Sequence, residues 1–176
     1  MKPIVIQQDK IWHVLLIVCA VVVLFFIQPA AIAQEDPPRP ISLYVYPSQG
    51  LMFGAILQGT TGGTVTVYPD GSRSATGDVT LISLGITYSP ALFGIEANPG
   101  TLISILNGPD ATLTGSNGGA MTLQIGGSDP ISPFVCTLPR PTRNLIWIGG
   151  TLIVGTPLAS PSGSYSGSFS ITFIQE

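Results

Sequence analysis

From Ile41 onward, apolar and polar residues alternate with a period of two. Ile41, Leu43 and Val45 alternate with Ser42, Tyr44 and Tyr46, and Val65 and Val67 sit between the hydroxyl residues of Thr64–Tyr68. In Ala120–Ile125, Met121, Leu123 and Ile125 point one way. The longest run is C-terminal, where Tyr165, Gly167, Phe169, Ile171 and Phe173 share a face opposite Ser166, Ser168, Ser170 and Thr172. Side chains on a strand project to opposite faces in turn, so this pattern predicts strands with one buried face. Leu102–Leu106 and Leu145–Ile148 are apolar on both faces, which predicts central strands or strands covered on both sides.

Turn signals separate these runs: Pro69-Asp-Gly71, Asn98-Pro-Gly100, Asn107–Asp110, Ser116–Gly119, Gly126–Pro130 and Ser160–Gly163. Gly and Asn supply positive φ, and Pro presets the first turn position. No window after the leader combines helical periodicity with caps. The expected fold is all-β, an immunoglobulin-like antiparallel β-sandwich of about seven to nine strands over residues 41–176.

The N-terminus follows a different pattern. Lys2 and Lys10 precede a stretch, Ile11–Gln34, that lacks Asp, Glu, Lys and Arg, and Ala31-Ile32-Ala33 supplies a small-x-small site. That order is a secretory signal, expected as a helix over residues 1–33 with cleavage between Ala33 and Gln34. The rival is an uncleaved anchor, since Ile11–Ala33 is long enough to span a bilayer. Pro29 and the paired alanines favour cleavage, and Cys19 lacks the small preceding residue of a lipoprotein site. Residues 34–40 (QEDPPRP) read as a Pro-rich leader. The expected destination is therefore export, to the periplasm, the cell surface or the medium, with contact to the membrane only through the signal.

Charge and composition then narrow the chemistry. The 176 residues carry 6 Lys+Arg against 9 Asp+Glu, a net charge of −3, and only 9% are charged. That balance opposes electrostatic nucleic-acid binding. With 21 Gly and 16 Pro but no three-residue period, collagen is excluded. Beyond residue 33 there is no Lys and no His. A Ser-His-Asp triad, a His-bearing zinc site and a lysine Schiff base are thereby impossible there. Neither a Gly-x-Ser-x-Gly elbow nor a phosphate-binding loop occurs. No enzymatic activity and no cofactor or metal is expected.

Several residues still invite scrutiny. Asp70, Asp78, Glu96, Asp110 and Asp129 leave a two-carboxylate glycoside hydrolysis formally open, but four of them adjoin Gly or Pro, where Asp favours turns. Arg73 and Asp78 could form a local ion pair. Cys136, the one cysteine after the leader, is either a buried small hydrophobe or else half of an intermolecular disulfide or a reactive thiol. Tyr44, Tyr46, Tyr68, Tyr88 and Trp147 are candidates for stacking on sugars or at an interface. If the aliphatic side of Ile41–Tyr46 is core, Tyr44 and Tyr46 form an exposed aromatic strip; the alternative is cross-strand packing.

An ordered set of segments carries a resemblance: Leu51–Gly54, Gly62–Thr66, Pro69–Arg73, Thr76–Val79, Ser89–Phe93, Gly149–Leu152 and Gly163–Phe169. Together these resemble the bacterial secreted domain-of-unknown-function family numbered 4402, over about Ile41 to Gln175. The resemblance implies an exported β-sandwich and no particular activity. More remotely, the Phe-Gly motif and the closing Gly-x-Tyr-x-Gly-x-Phe strand are similar to chaperone–usher pilins and spore-coat-U-like subunits. That similarity implies a groove filled by strand addition from a neighbour, flanked by the strand that contains Phe169, Ile171 and Phe173. The donor is missing, because proline cannot join a ladder and QEDPPRP has no alternation. Only Ile41–Tyr46 could serve, and it reads as a strand of the domain itself. The leading expectation is a structural or surface-assembly protein, a homo-oligomer or an acceptor of strand addition. The alternative is a carbohydrate- or surface-binding module.

Overall fold

A computed structural model describes residues 39–176; the expected signal segment, including Ala31, Ala33 and Gln34, lies outside the described residues. Thirteen strands follow one another among the described residues. They are β1 (Ser42–Val45), β2 (Met52–Phe53), β3 (Ile56–Val67), β4 (Arg73–Leu81), β5 (Tyr88–Ser89), β6 (Ala91–Glu96) and β7 (Leu102–Asn107). Then come β8 (Ala111–Gly115), β9 (Ala120–Asp129), β10 (Phe134–Val135), β11 (Asn144–Val154), β12 (Tyr165–Ser166) and β13 (Ile171–Gln175). Nine of these have four residues or more, the upper end of the expected count, and four have two. The one helical element among the described residues is a 3-10 turn, Pro47–Gln49.

All strand pairings are antiparallel. A large sheet runs β1-β6-β11-β9-β8-β12, with β3 and β4 joined to it through β11, and a small sheet runs β10-β7-β13. Both segments that are apolar on two faces are central: Leu145–Ile148 lies in β11, and Leu102–Leu106 in β7. One core lies between the sheets, from Phe93, Ile95, Ile146 and Ile148 below to Ile103 and Phe134 above. A second core (Val65, Val79, Leu113, Met121, Leu123, Leu152, Val154) draws on β3, β4, β8, β9 and β11, so the large sheet curls upon itself. The result is an all-β sandwich whose alternation puts Val65 and Val67 fully inside.

Two expectations change in detail. The C-terminal run is two strands rather than one: β12 pairs with β8 in the large sheet, and β13 pairs with β7 in the small one. The alternation survives the crossing, because Phe169 packs against both cores from the connecting segment. Gly126-Gly127 is not a turn but lies within β9. There the register to β11 shifts between Ile148 and Gly150, so the two glycines oppose the single Gly149. An extra residue on one strand is a bulge, and it bends the sheet where it occurs.

β11 also carries a seam. Its first half pairs with β6 as far as Ile148–Ala91, and its second half pairs with β3 from Gly150–Val67. β6 therefore begins where β3 ends, on the same edge of β11. Gly149 sits at the junction, and a Cβ there would lie 2.5 Å from the Val67 carbonyl oxygen.

Candidate functional site

Two surfaces of the large sheet combine the residues singled out in the sequence. The first is at the β1 edge. Leu43 stands opposite Ile95 and Val45 opposite Phe93, so both share the core face of the sheet. Yet Leu43 is 45% and Val45 60% exposed, while Ile95 is fully buried. Neither is among the side chains packed on the inter-sheet core. The Phe173 ring of β13 lies 5.5 Å from that of Phe93 on β6. On the β10 side, the Thr137 and Leu138 N–H groups donate to Asn144 Oδ1 on β11, at 3.1 and 3.2 Å. β13 thus meets β6, the neighbour of β1, and the segment after β10 meets β11.

β13 has one strand neighbour, β7, among the described residues. The Gly108 N–H donates to the Ser170 carbonyl and the Glu176 N–H to the Leu102 carbonyl, so even-numbered residues bond toward β7. Alternation in an antiparallel pair then directs the main-chain groups of Ile171, Phe173 and Gln175 to the outer edge. Their side chains are half-buried, with Ile171 and Phe173 packed on the inter-sheet core. Phe169, Ile171 and Phe173 are thus core-packing residues, and β13, which carries the last two, has an outer edge unpaired among the described residues.

The opposite, outer face of β1 carries the two tyrosines. Tyr44 pairs with Gly94, and a Cβ on Gly94 would come within 3.2 Å of the Tyr46 ring and 3.1 Å of Arg143 Cδ. The glycine lets these side chains lie flat on the sheet. Arg143 stacks on Tyr44 with its guanidinium carbon 3.6 Å from the ring centre. It also donates to the Tyr46 hydroxyl (3.4 Å) and pairs with Glu96 (3.3 Å). The conditional aromatic strip is therefore half-buried and already occupied by an arginine, and the aliphatic side is the more exposed one. The missed residue is Arg143, which no motif marks.

The second surface is a cleft of about 310 Å³ on the outer face at the seam. Trp147, half-buried, pairs with Leu92 on one side and Asp129 on the other. The Pro69–Gly71 turn after β3, Pro90 before β6 and Gln49 complete the lining with Asp70. Asp70 Oδ1 accepts from the Ser72 hydroxyl (2.6 Å) and N–H (2.8 Å). The hydroxyl first, then the N–H, hold its carboxyl below the usual range. A lowered pKa is the wrong direction for a general acid.

The other candidates lie elsewhere. Arg73 and Asp78 do not pair: Arg73 donates to the Phe53 and Ala55 carbonyls and covers Tyr88 at 4.4 Å. Asp78 Oδ2 instead accepts from the Thr61 and Thr60 N–H groups, which in that order lower its pKa. Asp110 takes a hydrogen bond from Gln124. Cys136 is fully buried, and burial pushes its thiol up.

The family profile described as Domain of unknown function (DUF4402) matches residues 43–174. The chain belongs to this family. The match runs from β1 to β13, so the matched region of this chain includes both the β13 edge and the seam. No curated protein and no solved structure matches the chain.

Proposed function

We propose that this DUF4402 protein is an exported, non-enzymatic structural subunit that assembles by accepting an extended strand along β13. The observations that carry the proposal are the outer edge of β13, unpaired among the described residues, and the exposed Leu43 and Val45. An exposed edge offers a row of unpaired N–H and C=O groups, which templates pairing with another chain. A strand added there satisfies those groups and lays its inward side chains on the apolar floor of β1. β1 itself is paired with β6, so Ile41–Tyr46 serves the domain and is not a free donor. Export follows from the charge–apolar–Ala-x-Ala order of residues 1–33. No step calls for a nucleic acid, a cofactor or a membrane beyond the signal.

The test is a gel of periplasmic and extracellular fractions, with and without heating in detergent and with reductant throughout. A ladder that collapses on heating supports non-covalent strand-exchanged assembly. One monomer-sized band in both lanes overturns it in favour of a self-contained sandwich.

A further inference from the structure

The seam cleft is independent of the β13 edge and has its own chemistry. It exists because two strands, β3 and β6, end against each other on β11, leaving the outer face of Trp147 uncovered by either. It is lined by Trp147, Asp129, Asp70, Gln49, Gly71 and two prolines. Trp147 and Asp129 are fixed by ladder pairing, since they are direct cross-strand neighbours. Asp70 is fixed by the two hydrogen bonds from Ser72 to Oδ1, and Oδ2 takes no hydrogen bond among the described residues. The Asp129 carboxylate likewise has no hydrogen-bond partner among the described residues, and no basic side chain lines the cleft.

We infer that this cleft binds a neutral saccharide, with a pyranose ring on the Trp147 indole and its hydroxyls donating to Asp129 and Asp70. A pyranose has an apolar C–H face and a rim of hydroxyl donors. The cleft has the complement: an aromatic face that prefers apolar contact and carboxylates that form charge-assisted hydrogen bonds to O–H donors. Gln49 both donates and accepts, as a hydroxyl ligand requires and a bare cation does not. The volume is at the small end of ligand sites, which suits one ring and part of a second. Openness to water screens the two carboxylates, so charge attraction alone holds a simple cation weakly there.

The full chain is tested on an array of neutral glycans, and the best ligand is then titrated by calorimetry. The expected result is binding that Trp147→Ala lowers at least about tenfold and Asp129→Asn lowers several-fold. Trp147→Phe, which keeps a ring, restores part of the affinity, while Tyr44→Ala on the same face leaves it unchanged. A circular dichroism spectrum identical to wild type qualifies each variant. Absence of any glycan binding overturns the inference, as does binding that survives Trp147→Ala in the folded variant. Tetramethylammonium is the cationic probe: if it binds and glycans do not, with affinity lost in salt, the cleft is a cation site and the inference fails.

Discussion

Placing glutamate at both Leu43 and Val45 separates the fold from the assembly it is proposed to support. Full burial of a Leu or Val side chain is worth roughly 1.5–3 kcal/mol. With Leu43 45% and Val45 60% exposed, about half of that gain is unrealised in the isolated domain. A strand laid over both would collect roughly 1.5–3 kcal/mol from this floor alone, about 10- to 150-fold in association. Leu43→Glu with Val45→Glu removes that gain and obliges the incoming strand to desolvate two carboxylates, which adds a further cost. In the uncovered domain the same glutamates reach water, so thermal stability shifts by about 1 kcal/mol or less. The assay is the heated and unheated gel beside a thermal melt, with Leu57→Glu as control, since Leu57 on β3 is equally exposed at 60%. The double variant should melt like wild type and show no ladder, and the control should keep it. Two results refute the reasoning: a ladder that persists in the double variant, or a melt that collapses as a core substitution would make it.

Cys136 should resist a thiol reagent in the native protein and react at once in denaturant, because it is fully buried. Its thiol is raised in the fold, so the unfolded chain ionises first; stability should fall as pH rises above about 8.5, read by urea titration at several pH values. Asn144→Ala should cost roughly 2–3 kcal/mol in the same titration, since it strands the Thr137 and Leu138 N–H groups and removes the hydrogen bond that its side-chain amide donates to the Ile95 carbonyl. A loss well under 1 kcal/mol would mean that water replaces the amide.

The parts of this fold that follow from local alternation are legible in the sequence. Val65, Val67, Met121 and Leu123 are buried as their spacing predicts. The side on which Leu43 and Val45 lie is also legible, but not whether anything covers it, because that depends on the packing of a different sheet. Gly126-Gly127 looks the same in a turn as in a bulge; the opposing Gly149 decides which, and it is remote in sequence. Arg143 carries no signal because its role depends on Gly94 admitting Tyr46 and the guanidinium side by side. Asp70, Asp129 and Trp147 each stand out by residue type. Their meeting depends on β3 and β6 abutting on β11, which no window of sequence contains.

The two proposed sites lie on opposite faces of the same sheet, and that arrangement has a consequence for function. Ile146 and Ile148 point inward and are fully buried, so Trp147 between them points outward, away from the face that carries Leu43 and Val45. A strand added at β13 therefore leaves the cleft open, and an assembled array repeats the cleft once per subunit. A small, open cleft binds one ring weakly, but linked copies raise avidity by about 10²–10⁴ without any new contact when geometry lets them engage together. The comparison that isolates this effect is retention on a glycan-coated surface, wild-type assembly against the Leu43→Glu, Val45→Glu monomer. Calorimetry with free glycan should give the two equal affinity per site, while the surface should release the monomer much faster. Equal release rates would mean that the clefts of an assembly do not act together, and unequal site affinities would mean that the two faces are coupled through the sheet.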